Sequence, residues 1–196
     1  MSYSQRRGVR LVLAPMLLAS LLFASCQTGN GSLSEANRLN QSAGDDVKEI
    51  EKLVQENRDK ESAITRAING DKYDEARKAI DQTVDAIDRG LGRGLVAQDK
   101  LNTASRLDVD ADIKQYLSLR AQSVSKALEA FAELRNGLII LRDSTGSTDK
   151  AVKEKAKNEI QDSSATFDQL ISESERLEGQ ADDIARRNPD KIKPGR

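Results

Sequence analysis

Leu33, Ala36, Asn40, Ala43, Val47, Ile50, Val54, Asn57, Glu61, Ile64 and Ile68 recur at alternating steps of three and four along the chain. That spacing keeps one face of an α-helix on a single seam. A second stripe places Tyr73, Ile80, Ile87, Gly94 and Leu101 at one heptad position, with Ala76, Thr83, Gly90, Ala97 and Ala104 three residues on. The latter set is almost uniformly small, which predicts close antiparallel packing of a neighbour along this helix. A third stripe runs Ile113, Leu117, Val124, Ala127, Leu128, Phe131, Leu134, Leu138 and Leu141. The fourth runs Ala156, Ile160, Phe167, Leu170, Ile171, Leu177, Ala181 and Ile184.

Short breakers separate the stripes. Asn69-Gly70 suits a left-handed helix end, and Asp71 offers an N-cap for the next helix. Leu107-Asp108-Val109-Asp110 reads as a turn in which either aspartate can cap the third helix, and Ser144-Thr145-Gly146-Ser147-Thr148 is a compact loop. Gly44-Asp45 is a candidate early break in the first helix. Connections this short make neighbouring helices antiparallel, and a helix of about 35 residues measures roughly 50 Å. The pattern therefore predicts an all-α fold over residues 33–187, an elongated antiparallel up-down bundle of three to four long helices. Tetratricopeptide-type solenoids need helices about half as long.

Composition strengthens this reading. No proline lies between Cys26 and Asn188, and an interior proline costs a helix about 3 kcal/mol. Asn40, Asn57 and Glu61 occupy seam positions where apolar residues would stabilise more. Such insertions either fix register or mark a first helix that is only partly docked, its polar seam facing solvent, a lumen or a partner. Residues 188–196 are basic and proline-bearing, and are expected to form a disordered tail, or a contact with anionic lipid or cell-wall polymer.

Gly90-Leu91-Gly92-Arg93-Gly94 is the one local oddity. Its spacing matches neither phosphate-binding glycine motif, since no strand precedes it and no Walker lysine and hydroxyl come after it. Gly90, Gly92 and Gly94 are thus candidates for a close-contact notch or for a hinge. Carboxylates cluster at Asp45-Asp46, Asp108 to Asp112 and Asp182-Asp183, without the central glycine and closing glutamate of a calcium loop. A helix N-terminus attracts acids by its dipole, which explains the middle group. No metal site is expected.

The chain begins with a basic segment carrying Arg6, Arg7 and Arg10, then an apolar stretch from Leu11 to Phe23, then Phe23-Ala24-Ser25-Cys26. The apolar run, interrupted by Pro15 and Ser20, is shorter than the roughly 20 residues of a membrane span. The leader resembles the lipobox of bacterial lipoproteins, with Phe23 where leucine is usual. By that resemblance, residues 1–25 are a cleaved signal peptide and the thiol of Cys26 receives a diacylglycerol. The alternative is a plain secretory signal followed by an unrelated cysteine. Cys26 is the chain's only cysteine, so it has no intramolecular disulfide partner, and acylation would remove an exposed reactive thiol. Residues 26–32, Cys26 and then Gln27 to Ser32, have the composition of a flexible tether. Gln27 resembles the residue type that routes lipoproteins to the outer membrane, facing the periplasm or exposed at the surface.

Cleavage before Cys26 would remove three arginines and no acids, leaving 28 basic and 32 acidic side chains. Such a mild, interspersed charge excludes the basic stripe that nucleic-acid binding needs. There is no histidine, the commonest general base and metal ligand, and no tryptophan. After the leader only Tyr73, Tyr116, Phe131 and Phe167 are aromatic. The expectation is a non-enzymatic scaffold or accessory lipoprotein of the cell envelope. It would have no cofactor beyond the lipid on Cys26, and a protein partner or second copy on its helix faces. The alternative is a periplasmic carrier or sensor bundle, which predicts an apolar cavity among Ile87, Leu91, Phe131 and Phe167. In plan the chain resembles the murein lipoprotein and similar envelope coiled coils, but its end, Pro194-Gly195-Arg196, lacks the terminal lysine of wall attachment.

Overall fold

A computed structural model describes residues 14–193, and for residues 14–30 and 57–59 it describes the backbone alone. The basic start of the leader, the Cys26 side chain, the Asn57 side chain and Pro194 to Arg196 lie outside the described part. Four helices make up the fold: α1 (Ala14–Asn69), α2 (Tyr73–Ser105), α3 (Ala111–Ser144) and α4 (Lys150–Arg187). No strand occurs among the described residues. The fold is an all-α bundle in which each helix packs on its sequence neighbours, α1 on α2, α2 on α3 and α3 on α4.

Helix α1 runs unbroken through Gly44-Asp45, because Gly44 is buried against its neighbours and Asp46 is held by ion pairs across to α2. It also runs through residues 26–32, where an irregular tether was expected. A docked helix extends by one hydrogen bond per added residue, and this outweighs the cost of the tether glycines.

The connections obey the expected chemistry with two exceptions. At the end of α1 the left-handed residue is Asp71, with φ of 57°, not Gly70. The Asp71 N–H donates to Ile68 O (3.2 Å) and the Lys72 N–H to Ala67 O (2.9 Å), so the turn is a Schellman motif with Asp71 at the glycine position. Asp71 therefore closes α1 and does not cap α2, whose N-cap is Lys72. At α3 the N-cap residue is Asp110, but its side chain caps nothing. It accepts a hydrogen bond from Lys191 Nζ at 2.5 Å. The third connection behaves as expected, with Gly146 at φ of 80° and the Asp149 carboxylate accepting from the Ala151 N–H at 2.8 Å.

The core divides into two parts. At one end Ala36 and Ala43 of α1, Leu101 of α2, Tyr116 and Leu117 of α3, and Ile184 of α4 belong to one buried cluster. At the other end Ile64, Ile80 and Val84 pack with Ile68, Leu138 and Leu141, all from α1, α2 and α3. Among the described residues, helix α4 contributes nothing to this second cluster, and α1 and α4 share no extensive contact. The bundle is thus closed at one end and open at the other.

The closure is made by residues 188–193, the segment expected to be a disordered tail. Ile192 is 2% exposed within the four-helix cluster. The Lys193 N–H donates to Asn37 Oδ1 (3.0 Å), Asn37 Nδ2 donates to Lys191 O (3.0 Å), and Asn40 Nδ2 donates to Lys193 O (2.8 Å). One buried isoleucine and a ladder of asparagine bonds hold this strap across α1.

Candidate functional site

Along the first stripe the two polar seam residues whose side chains are described have opposite fates. Asn40 is 1% exposed and docked. Its Oδ1 accepts from Arg120 Nη1 at 2.7 Å, and its Nδ2 also reaches Tyr116 Oη at 3.2 Å. Arg120, itself buried, lies over the Tyr116 ring and donates through Nε to Glu178 Oε1 at 3.2 Å. This cluster ties α1, α3, α4 and the strap at one level, which is how a polar seam residue fixes register. Glu61, by contrast, is exposed at the open end. The two readings of the polar seam therefore apply to different halves of the helix.

Between these halves lies the glycine-bearing stretch of α2. It is continuous helix, with Gly90 and Gly94 buried and Gly92 exposed. A methyl group built on Gly94 would overlap Leu128 Cδ2, with Leu128 Cγ at 3.2 Å and Ile50 Cδ1 at 3.5 Å. On Gly90 it would meet only Ile50 Cγ2, at 3.7 Å, and on Gly92 nothing within 4 Å. Close approach thus belongs to Gly94 alone among the three.

Just beyond Gly90 the open end forms an apolar groove of about 640 Å³. Ile50, Leu53, Val54 and Ile64 of α1 make one wall, Ala86, Ile87 and Gly90 of α2 the floor, and Phe131, Leu134, Leu138 and Leu141 of α3 the other wall. Its polar lining is Gln55, Glu61, Thr65 and Thr83. The Thr83 hydroxyl already donates to Ala79 O, at 3.0 Å. Of the residues at which a carrier would need a cavity, Ile87 and Phe131 line the groove and Leu91 does not. Phe167 stands edge-on against Phe131, ring centroids 6.4 Å apart, and holds that wall to α4.

The groove is open because α4 packs along α3 and not α1. Here Ser163 of α4 lies 3.6 Å from where a Cβ on Gly137 would stand, an ordinary contact. Farther along, Ser123 and Ser174 exchange hydroxyl-to-carbonyl bonds at 3.0 and 2.9 Å. Ion pairs brace the other walls. Arg135 binds Asp88 through two nitrogens (2.6 and 3.2 Å) and Arg142 reaches Asp81 (3.1 Å), both joining α3 to α2. The hydrogen bond to Asp88 holds the Arg135 guanidinium above its ordinary pKa, and those to Asp143 and Asp81 do the same for Arg142. Lys100 and Arg93 meet the nearly buried Asp46 at 2.5 and 3.5 Å, joining α2 to α1. At the strap, the hydrogen bond to Asp110 pushes Lys191 up.

The expected acidic clusters do not converge, and among the described residues no group of three or more histidine, cysteine or acidic side chains is arranged to hold a metal. No described helix is long and apolar enough to cross a membrane. The strap and the Arg120 cluster escape a reading of stripes. One signal was present, because Arg120 sits three residues after Leu117 and four before Val124, at a seam position that a charge occupies only when partnered inside. Comparison with protein-family models, with curated proteins and with solved structures finds no match to this chain.

Proposed function

We propose that this chain is a bacterial envelope lipoprotein, tethered through a diacylglycerol on Cys26 and serving as a non-enzymatic helical scaffold or accessory subunit. The observation that carries the reading is the basic and apolar leader ending in Phe23-Ala24-Ser25-Cys26 at the chain's only thiol. Acyl chains contribute about 0.8 kcal/mol per buried methylene, so two or more hold a protein at a membrane stably. From Cys26 to Ile50 is 24 positions along α1, about 36 Å of helix at 1.5 Å per residue. A long bundle of this kind carries a binding surface well clear of a bilayer, and Gln27 favours the outer membrane. Growth with radiolabelled palmitate tests the anchor. Wild-type protein should be labelled and membrane-bound, whereas Cys26→Ala should be unlabelled and retain its leader. An unlabelled wild type would refute the proposal.

A second reading, a periplasmic bundle that carries a small apolar ligand, is favoured by the apolar groove lined by Ile87 and Phe131. Native mass spectrometry of the purified protein tests it through a bound small molecule of defined mass.

A further inference from the structure

We propose that the groove at the open end receives one amphipathic α-helix of a partner protein, which completes a four-helix core there. Shape is the first reason. The groove has two helical walls and a helical floor, and its lining extends from Ile50 to Thr65 on α1 and from Phe131 to Leu141 on α3. At 1.5 Å per residue those spans are about 22 and 15 Å, the length of a ten- to fifteen-residue helix. Such a helix inserts anchors at i, i+3 or i+4, and i+7.

Continuity is the second reason. At the closed end the seam between α1 and α3 is covered by the chain itself, through Ile184 of α4 and Ile192 of the strap. At the open end the same seam runs on with no described helix over it. The occupant that matches this architecture is another helix.

The chain's own described surface does not supply one. Among the described residues the large exposed apolar side chains are Val54, Leu95, Val96, Leu134 and Val152. Val54 and Leu134 are the groove's own rims, and Leu95, Val96 and Val152 form no row at helical spacing. The described surface of a second copy therefore offers no anchoring row outside the groove itself. Nor does the lining surround a small molecule with orienting groups, because Gln55, Glu61 and Thr65 all stand on the α1 wall and the floor's one polar side chain, Thr83, already donates its hydroxyl to Ala79 O. Glu61 is the one charged residue of the described lining, so the partner helix carries a basic residue on the flank that meets α1.

The inference concerns the binding face of the scaffold proposed above. Palmitate labelling reads Cys26 alone, so the two proposals fail separately. The test uses the full chain in phosphatidylcholine nanodiscs and a synthetic amphipathic peptide with leucines at i, i+3, i+4, i+7 and i+11, lysines between them and a benzophenone label. A scrambled peptide of the same composition and a benzophenone-labelled dodecylamine are run beside it. Photocrosslinks from the amphipathic peptide should map to the groove and fall at least about tenfold in Val54→Glu/Leu134→Glu. Both rims are exposed, so the double variant should melt like the wild type. Thr65→Trp, which obstructs the groove from its rim, should give the same loss. Glu61→Lys should weaken crosslinking several-fold. Equal crosslinking of the scrambled peptide, unchanged crosslinking in both groove variants, or groove crosslinks from dodecylamine but not from the peptide would each overturn the proposal.

Discussion

Alanine substitution at Gly90, Gly92 and Gly94 of α2 should give different results. An interior glycine is less stable in a helix than alanine by about 0.5–1 kcal/mol. Gly92 faces open space, so Gly92→Ala should realise that gain, a rise of roughly 2–4 °C per kcal/mol for a chain of this size. Gly90→Ala should do likewise, since its methyl would touch only Ile50 Cγ2 at an ordinary 3.7 Å. At Gly94 the methyl would overlap the end of Leu128 and crowd Ile50. Overpacking of this kind costs about 1–3 kcal/mol, which cancels or exceeds the helical gain. Gly94→Ala should therefore melt several degrees below Gly92→Ala by far-UV circular dichroism. Removing the obstacle should reverse the order, so Gly94→Ala should be less damaging in a Leu128→Ala background than in the wild type, a coupling that a double-mutant cycle measures. Equal rises for Gly92→Ala and Gly94→Ala would refute the close approach of α2 and α3.

Other positions offer equally direct tests. Asn40→Ala should lose about 1–3 kcal/mol, because it removes the partner of buried polar groups, and should speed amide hydrogen exchange in residues 188–193; denaturant melts with exchange mass spectrometry check both, and unchanged exchange would refute the strap ladder. Ile192→Ala should cost about 2–5 kcal/mol, as for other fully buried side chains, whereas a disordered tail would show no effect. In a Tyr73→Phe background, where the hydrogen bond to the Asp71 carboxylate is already gone, Asp71→Gly should stabilise by up to about 1 kcal/mol by relieving a left-handed non-glycine residue; a lower melting temperature there would contradict the Schellman geometry. The hydrogen bond from Tyr73 Oη to Asp71 Oδ1, at 2.6 Å, raises the Tyr73 pKa above its ordinary value. Its contribution to stability is present below the unfolded pKa near 10 and is lost as pH rises through the higher folded value. Site-resolved NMR titration should show Tyr73 ionising later than a free tyrosine and returning toward it in Asp71→Asn.

Much of the fold was legible from local pattern. Four stripes became four helices, and the loop around Gly146 formed between Ser144 and Thr148, where its residue types placed it. The tail misled because its composition is basic and proline-bearing, and composition carries no information about Ile192, which joins a core cluster with Leu107 and Val109, residues remote from it in the chain. Asp71 misled because an aspartate after a glycine usually serves as an N-cap, yet here the direction of the chain required a left-handed residue one position later than Gly70. The groove is half visible in the sequence: of Ile87, Leu91, Phe131 and Phe167, the first and third line it, and spacing does not distinguish Leu91 and Phe167 from them.

What the sequence determined by itself is the helical class and the antiparallel order, because periodicity and breakers are local properties. Only the tertiary structure decided that the bundle closes at one end and opens at the other. That outcome depends on long-range packing: α4 lies along the small residues Ser123 and Gly137 of α3, the strap binds Asn37 and Asn40, and no described helix covers the seam beyond Gly90. The same polar substitution in a stripe, Asn40 or Glu61, becomes a buried tie or a groove mouth according to what the rest of the molecule brings opposite it.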